Sequence, residues 1–304
     1  MEKHFHSNGK LFISGEYLVL DGALAFAIPT GYGQSLTVNP HENGIIWQSY
    51  DHQGKLWLDF DLAYAEIKSW KETNSPNNPR ERLIQILASA KTLNPDFLNQ
   101  EEGVKVETRL DFPQDWGLGT SSTLINNVAN WAEVNPYKLL ARTFGGSGYD
   151  LACAESDTAV FYTMTPGHPH IEHTVFKPSF SDHIFFIYLN QKQNSRDAIA
   201  HYRNQPKEKL AKAVAKVTRI GHAMQQCENL GAFEELVCRH EEIVGQLLNI
   251  TPIKLRLFND YTGSVKSLGG WGGDFIMVTG SKNQMEYFKN KGYTTIIPFN
   301  NMAK

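Results

Sequence analysis

Apolar and polar residues alternate through much of the first third of the chain. Leu56, Leu58, Phe60 and Leu62 interleave with Lys55, Trp57, Asp59 and Asp61. Val104, Val106, Thr108 and Leu110 interleave with Lys105, Glu107, Arg109 and Asp111. A period of two puts one set on a buried face and the other in water, so both segments are expected as strands of a half-wet sheet. Gly22, Gly31, Gly33, Gly44 and Gly54 punctuate these strands. Between them a helix is predicted. Asn78 caps it, Pro79 suits its first turn, and Leu83, Ile86 and Leu87 form its apolar stripe.

The middle of the chain changes character. The segment DWGLGTSSTLINNVANWAEV is a glycine-rich turn running into a helix, with Leu124, Val128 and Trp131 on one side, and Asn135-Pro136 starts a second helix through Phe144. The segment GGSGYDLACA is another glycine turn that opens a helix. In the last third, His183 to Leu189 reads as a buried strand. Two long apolar-striped helices follow, then the SLGGWGGDFIMVTG turn and strand, a short helix near Met285 to Lys289, and the final strand TTIIPF. Strands enclosing helices in this order predict an α+β chain ending in a split βαβ, ferredoxin-like layer. A boundary near Ser181 divides the chain into 1–181 and 182–304.

Composition narrows the function. The 304 residues suffice for one large or two medium domains, and 41% apolar with 20% charged residues describes an ordinary globular protein. Lys plus Arg total 29 against 32 for Asp plus Glu, a near balance that argues against nucleic acid or an anionic membrane as partner. No apolar run approaches bilayer length, and MEKHFHSNGK lacks the apolar core of a secretory signal. Cys153, Cys227 and Cys238 are odd in number and widely spaced, which suits a reducing cytoplasm. The expected partner is a small-molecule substrate, bound by a monomer or homodimer.

Four short stretches carry chemistry. In Gly117-Leu118-Gly119-Thr120-Ser121-Ser122, small residues let the backbone approach a polyanion, and the amides and dipole of a helix start add positive potential. A plain helix-capping turn has the same composition. The chain has no GxxxxGK[ST], so the loop is not of the Walker type. Lys10, in Asn8-Gly9-Lys10, can offset phosphate charge or sit solvated on an edge strand. Asp150, at the exit of Gly145-Gly146-Ser147-Gly148-Tyr149, can act as a general base or cap the following helix. Finally, Gly269, Gly270, Gly272 and Gly273 surround Trp271 and imply positive φ angles or close backbone packing. The three histidines of GHPHIEH, His168, His170 and His173, read as an exposed hairpin loop rather than a metal site, and His240 as a core-edge residue.

In order, the chain resembles the three signature regions of the GHMP kinase superfamily. NGKLFISGEYLVLDGALAFAIP is similar to the PGK-x-x-x-x-GE segment, PQDWGLGTSST to the P-x-x-x-GLGSS-A phosphate loop, and KSLGGWGGDF to the K-x-[ST]-G-AGGGG motif. An SGxD lies between the second and third. The resemblance implies the GHMP kinase fold, with a ribosomal protein S5 domain 2-like N-terminal domain, a ferredoxin-like C-terminal domain and a site in the groove between them. It implies ATP and Mg2+ as cofactors. Gly117, Leu118, Gly119, Thr120, Ser121 and Ser122 would bind the ATP phosphates, and Ser121 the metal. Asp150 would orient or deprotonate the acceptor, and Lys10, close to it, would stabilise the charge that develops. Glu16, Ser147, Lys192, Ser195, Arg196, Gly269, Gly270, Gly272 and Gly273 would bind substrate.

GEY, GSGYD and the terminal GGD resemble the phosphomevalonate kinase branch, so 5-phosphomevalonate is the expected acceptor. Mevalonate kinase, a sugar kinase, a diphosphomevalonate decarboxylase and a nucleotide-binding protein without turnover are the alternatives. The chain also departs from the family. Asn8 replaces Pro, Leu268 and Trp271 stand where a hydroxyl residue and a glycine are usual, and no Glu corresponds to the magnesium ligand of mevalonate kinases. Glu133 lies too many turns along the helix from Ser121 to share an ion with it.

Overall fold

The computed structural model describes residues 1–99, 102–165, 169–192, 199–200, 202–204, 207–271 and 273–304, with backbone only for 207–209. The elements run β1 (Lys3–Ser14), β2 (Ala25–His41), β3 (Ile45–Tyr50), β4 (Leu56–Leu62), α1 (Tyr64–Ser69), α2 (Pro79–Leu93), β5 (Gly103–Leu110), α3 (Thr120–Ala132), α4 (Pro136–Ala141) and α5 (Tyr149–Glu155). They continue β6 (Ala159–Thr163), β7 (His170–Thr174), β8 (Ile184–Tyr188), α6 (Lys207–Gln225), α7 (Leu230–Leu248), α8 (Ile253–Leu257), β9 (Val265–Ser267), β10 (Phe275–Thr279), α9 (Glu286–Asn290), β11 (Ile296–Pro298) and α10 (Phe299–Met302). No described helix is long and apolar enough to cross a membrane.

The chain forms two compact units. The first comprises Met1–Gly9, Tyr32–Gln114 and Gly119–Glu155; the second comprises Lys10–Gly31, Asp115–Leu118 and Ser156–Lys304. The division therefore does not follow the boundary expected near Ser181. The reason is pairing: Ala25, Phe26 and Ala27 of β2 pair with Tyr162, Phe161 and Val160 of β6, which draws the early segment into the later unit.

In the first unit, β3 pairs antiparallel with β4 and parallel with β5, and β5 pairs antiparallel with residues 34–41 of β2. Leu36, Val38, Trp47 and Val106 face a core completed by Leu83, Ile86 and Leu87 of α2 and by Ile125, Val128 and Trp131 of α3. The predicted caps are present. Asn78 accepts from the Glu81 amide with Pro79 in the first turn of α2, and Asn135 accepts from Tyr137 and Lys138 with Pro136 opening α4. The period-two reading holds for β5 but only in part for β4, where Leu62 is buried and Leu56 and Trp57 are exposed. β4 ends the strand order, so its outer residues have less to pack against. Polar bonds tie α3 to the strands: Thr123 Oγ1 donates to Gln34 Oε1 at 2.7 Å and Asn127 Nδ2 to the Gln34 carbonyl at 2.8 Å.

In the second unit, β8 to β11 form an antiparallel sheet in the order β11-β8-β10-β9. Numbered within this sheet the order is 4-1-3-2, and α6 and α7 follow its first strand, as a ferredoxin-like layer requires. All of β8 and β10 is buried. An aromatic chain of Phe26, Phe161, Phe176, Phe233 and Phe180 fills another part of the same unit, with ring centroids 5.1 to 6.3 Å apart.

Candidate functional site

The glycine turn before α3 bends through two left-handed residues. Gly117 has φ +68 and Gly119 φ +99, a region that favours glycine. Gly119 itself is the N-cap of α3 and supplies no side-chain cap bond. The sequence left a Ser or Thr cap open; the structure puts glycine there, so the amides of the first turn are not met by a cap side chain. The Ser122 hydroxyl turns back to the Gly119 carbonyl at 2.8 Å, whereas Ser121 is exposed. Leu118 is buried, and its carbonyl accepts from the Lys10 amide at 3.0 Å.

Thr120 and Ser121 also line a cleft of about 170 Å³ in the first unit. Its walls are mainly apolar: Trp57 and Leu58 from β4, Ile86 from α2, Leu124 from α3, and Phe144 after α4. The Arg82 guanidinium lies over the Phe144 ring, 4.8 Å from its centroid. Deeper polar groups are already engaged, since Trp47 Nε1 donates to Ser49 Oγ at 3.1 Å and Thr108 Oγ1 to the same oxygen at 2.9 Å. A helix start that favours anions thus opens onto a flat-walled apolar slot. Sequence reasoning missed the slot because its residues come from β2, β3, β4, β5, α2, α3 and the segment after α4.

The second glycine turn has Gly145, Gly146 and Gly148 all at positive φ; Ser147 lies within it and Asp150 in the first turn of α5, both half-buried.

The third glycine turn carries two large apolar residues. Leu268 and Trp271 both point inward. The Trp271 ring joins Tyr17, Leu18, Val217, Val244 and Leu247 in a buried cluster. Gly269, Trp271 and Asp274 have positive φ. Gly270 and Gly273 are described, whereas Gly272, like Ser195 and Arg196, lies outside the described residues. Lys192 is exposed, two residues beyond the Asn190 turn that ends β8. Sequence reasoning passed over Asp274 as a site residue. Its carboxylate lies against the first glycine turn: a Cβ added at Gly117 would fall 2.5 to 2.7 Å from the carboxylate atoms. Gly117 is therefore required by contact as well as by φ.

Glu16 requires a correction. It was expected to meet substrate, yet it is 1% exposed. Gly15, at φ +103, lies so close to the Leu24–Ala25 backbone that a Cβ would fall 2.6 Å from the Leu24 carbonyl oxygen. The chain turns there, within the second unit, and Glu16 Oε1 lies 2.5 Å from Lys266 Nζ and its Oε2 3.1 Å from His240 Nε2. Lys266 Nζ also donates to the Ser267 carbonyl at 2.9 Å and lies 3.8 Å from Glu241 Oε1. Ser267 Oγ donates to Glu241 Oε2 at 3.0 Å. His240 is fully buried inside this cluster rather than at a core edge.

Burial alone would raise the Glu16 carboxyl, but Lys266 and His240 outweigh it and hold the group down to about 2. Burial pushes Glu241 up to about 7, with Lys266 and the bonds to Ser267 offsetting it only in part and Glu16 adding to the rise. His240 is lowered by burial and by Lys266, so it stays neutral. His170 and His173, expected in an exposed hairpin loop, are exposed but lie in the strand β7, which pairs antiparallel with β6; His173 Nδ1 is 3.0 Å from Ser156 Oγ, and His168 lies outside the described residues.

No protein-family model and no curated protein matches the chain. Solved structures do. The Methanococcus jannaschii mevalonate kinase is 16% identical, with 98% of this chain and 97% of that one covered and a TM-score of 0.71. The Streptococcus pneumoniae phosphomevalonate kinase in complex with phosphomevalonate and AMPPNP is 16% identical, covering 97% and 99%, at 0.70. The Lactococcus lactis galactokinase complexed with galactose is 13% identical, covering 100% and 93%, also at 0.70. These likenesses extend over nearly the whole of each chain and show a shared fold.

Proposed function

From a chain built on the GHMP kinase fold, we propose an ATP-dependent small-molecule kinase that transfers the γ-phosphoryl group to an oxygen of a small metabolite, with 5-phosphomevalonate as acceptor. One observation supports the reading above the others: the uncapped start of α3, with Thr120 and Ser121, opens onto the apolar cleft beside Trp57 and Phe144. A polyphosphate at the amides of Gly117 to Ser122 would leave its base to enter that cleft.

Phosphoryl transfer asks mainly for positioning and charge stabilisation. The α3 amides supply the first, and Lys10 and Asp150 act on the transferring group and the acceptor. The fold implies magnesium, and Ser121 fits as a ligand because its side chain is exposed on the first turn of α3. No group of three acidic, histidine or cysteine residues among those described forms a metal cage. Ser121, with phosphate oxygens and water, would hold the ion, which keeps most of its ligands from those sources. The bound ion would neutralise charge on the phosphates. The acceptor assignment draws on GSGYD and the terminal GGD, whose Asp274 lies against the phosphate loop. An odd number of widely spaced cysteines, Cys153, Cys227 and Cys238, suits the cytoplasm.

Trp57→Ala should raise the Kd for ATP about 5- to 100-fold, the range of base–aromatic stacking, and leave the acceptor KM nearly unchanged. Gly119→Val should weaken ATP at least as much and also lower the melting temperature, because valine is strained at φ +99. Calorimetric titration of ATP into both folded variants checks this; wild-type affinity in both would remove the loop and cleft from the site. A panel of 5-phosphomevalonate, mevalonate and galactose with ATP checks the acceptor. Equal turnover on all three, or preference for another, would overturn the assignment.

A further inference from the structure

The cluster around Glu16 is larger than a fold needs. It buries two carboxylates, an ammonium and an imidazole within one unit, and several of its atoms, including Glu241 Oε1 and His240 Nδ1, have no hydrogen-bond partner among the described residues. Replacing such a set with apolar residues is often neutral or stabilising, so stability alone does not account for it.

Its geometry converges on one residue, Ser267. Lys266 holds the Ser267 carbonyl and Glu241 holds its hydroxyl. Ser267 ends β9, and the next residues, Leu268 and Gly269, begin the third glycine turn. The peptide that leads into that turn is thus gripped from both sides. Downstream, the turn ends at Asp274, whose carboxylate lies against Gly117 of the phosphate loop.

We propose that Glu241 and Lys266 are positioning residues for the phosphoryl-transfer site, fixing through Ser267 the approach to the glycine turn, so that turnover depends on whether Glu241 carries its proton. The inference rests on the kinase reading above. With Glu241 protonated, Lys266 is shared by Glu16 and the Ser267 carbonyl. Once Glu241 ionises, two carboxylates compete for one ammonium, and Lys266 is drawn from the Ser267 carbonyl toward Glu241 Oε1. The groups that act on Glu241 are Lys266 from β9, Glu16 beyond the end of β1, and Ser267; neutral His240 lies beside it on α7, and Cys238, a turn earlier, lies in its field. The group's position near 7 places the change in the neutral range.

The sign also follows for stability. A carboxyl raised on folding contributes stability that is present below its unfolded value and lost as pH rises through about 7. Glu241→Gln mimics the protonated form, retains an acceptor for Ser267, and cannot titrate.

The test uses the full chain, wild type and Glu241→Gln, with kcat and both KM values measured from pH 5.5 to 8.5 and melting temperatures beside them. Wild type should lose about tenfold in acceptor kcat/KM from pH 6 to 8.5, a cost in keeping with sub-ångström misplacement of site groups, while the Gln variant loses less than about twofold. Its melting temperature should also fall less over the same range. Ser267→Ala separates positioning from stability: it should shrink the activity change while melting temperature still falls with pH, since Glu241 still titrates, moved upward by loss of the hydroxyl bond, but has lost a handle on the turn. Parallel activity profiles for wild type and Glu241→Gln overturn the proposal, as does a Gln variant that flattens only the melting curve. Wild type with no phosphoryl transfer to any acceptor overturns the kinase reading, and this inference with it.

Discussion

Asp150→Asn is expected to lower kcat by about 10²- to 10⁴-fold, or about 3 to 5 kcal/mol of barrier, while melting temperature and ATP affinity stay near wild type. Asp150 sits in the first turn of α5, where a carboxylate also helps the helix. Asparagine keeps the shape and much of any capping role, at a cost of about 1 kcal/mol or less. It cannot accept a proton or hold a cation by charge. A phosphate acceptor is already largely ionised at neutral pH, so with 5-phosphomevalonate the loss should fall at the lower end of the range. Lys10→Met should lower kcat as well, and the double variant should lose less than the product of the two if both act on one transferring group. Wild-type kcat in Asp150→Asn, measured with saturating substrates, would reduce Asp150 to a helix residue and sink the mechanism.

Lys266→Met should cost about 3 to 5 kcal/mol of folding stability, the range for leaving a buried charge without its partner. Lys266 is fully buried and 2.5 Å from the Glu16 carboxylate, which no water can reach in its place. Against a total of about 5 to 15 kcal/mol, the loss is a large share. Acid should act on the same pair. Glu16, held down to about 2, contributes stability above the ordinary carboxylate range, and that contribution is lost as pH falls toward 2. Removing both charges, as Glu16→Gln with Lys266→Met, should recover part of the loss, giving a measurable coupling in urea denaturation. A Lys266→Met midpoint within about 1 kcal/mol of wild type would mean that the pair carries little stability.

Local signals were legible in the sequence. Asn78-Pro79 and Asn135-Pro136 open helices as read, because a cap and a first-turn proline act within a few residues. The glycine turns were legible for the same reason, and the strand–helix order was enough for the ferredoxin-like layer. What stayed hidden depends on partners distant in sequence. Lys266 reads only as the first residue of the third motif until Glu16, 250 residues earlier, is placed beside it. Trp57 reads as the wet face of a strand, and only Phe144 and Ile86 turn it into the wall of a cleft. His240 looked like a core-edge residue because its helix face is apolar, and Asp274 looked like the end of a motif. The division between the units escaped notice because β1 and β2 each contribute residues to both.

The separation of Glu16 from Lys266 also sets a clock on biosynthesis. At about 5 to 20 residues per second, the ribosome needs roughly 12 to 50 s to make the intervening chain. Throughout that interval Gly15 and Glu16 have been made while the ammonium that neutralises Glu16 does not yet exist. The second unit takes three separate segments of the chain, the last ending at Lys304. It can therefore close only once the last of these segments has been made. A nascent chain stalled before residue 266 should remain open to protease around Glu16, and release of the full chain should bring protection there in a single late step.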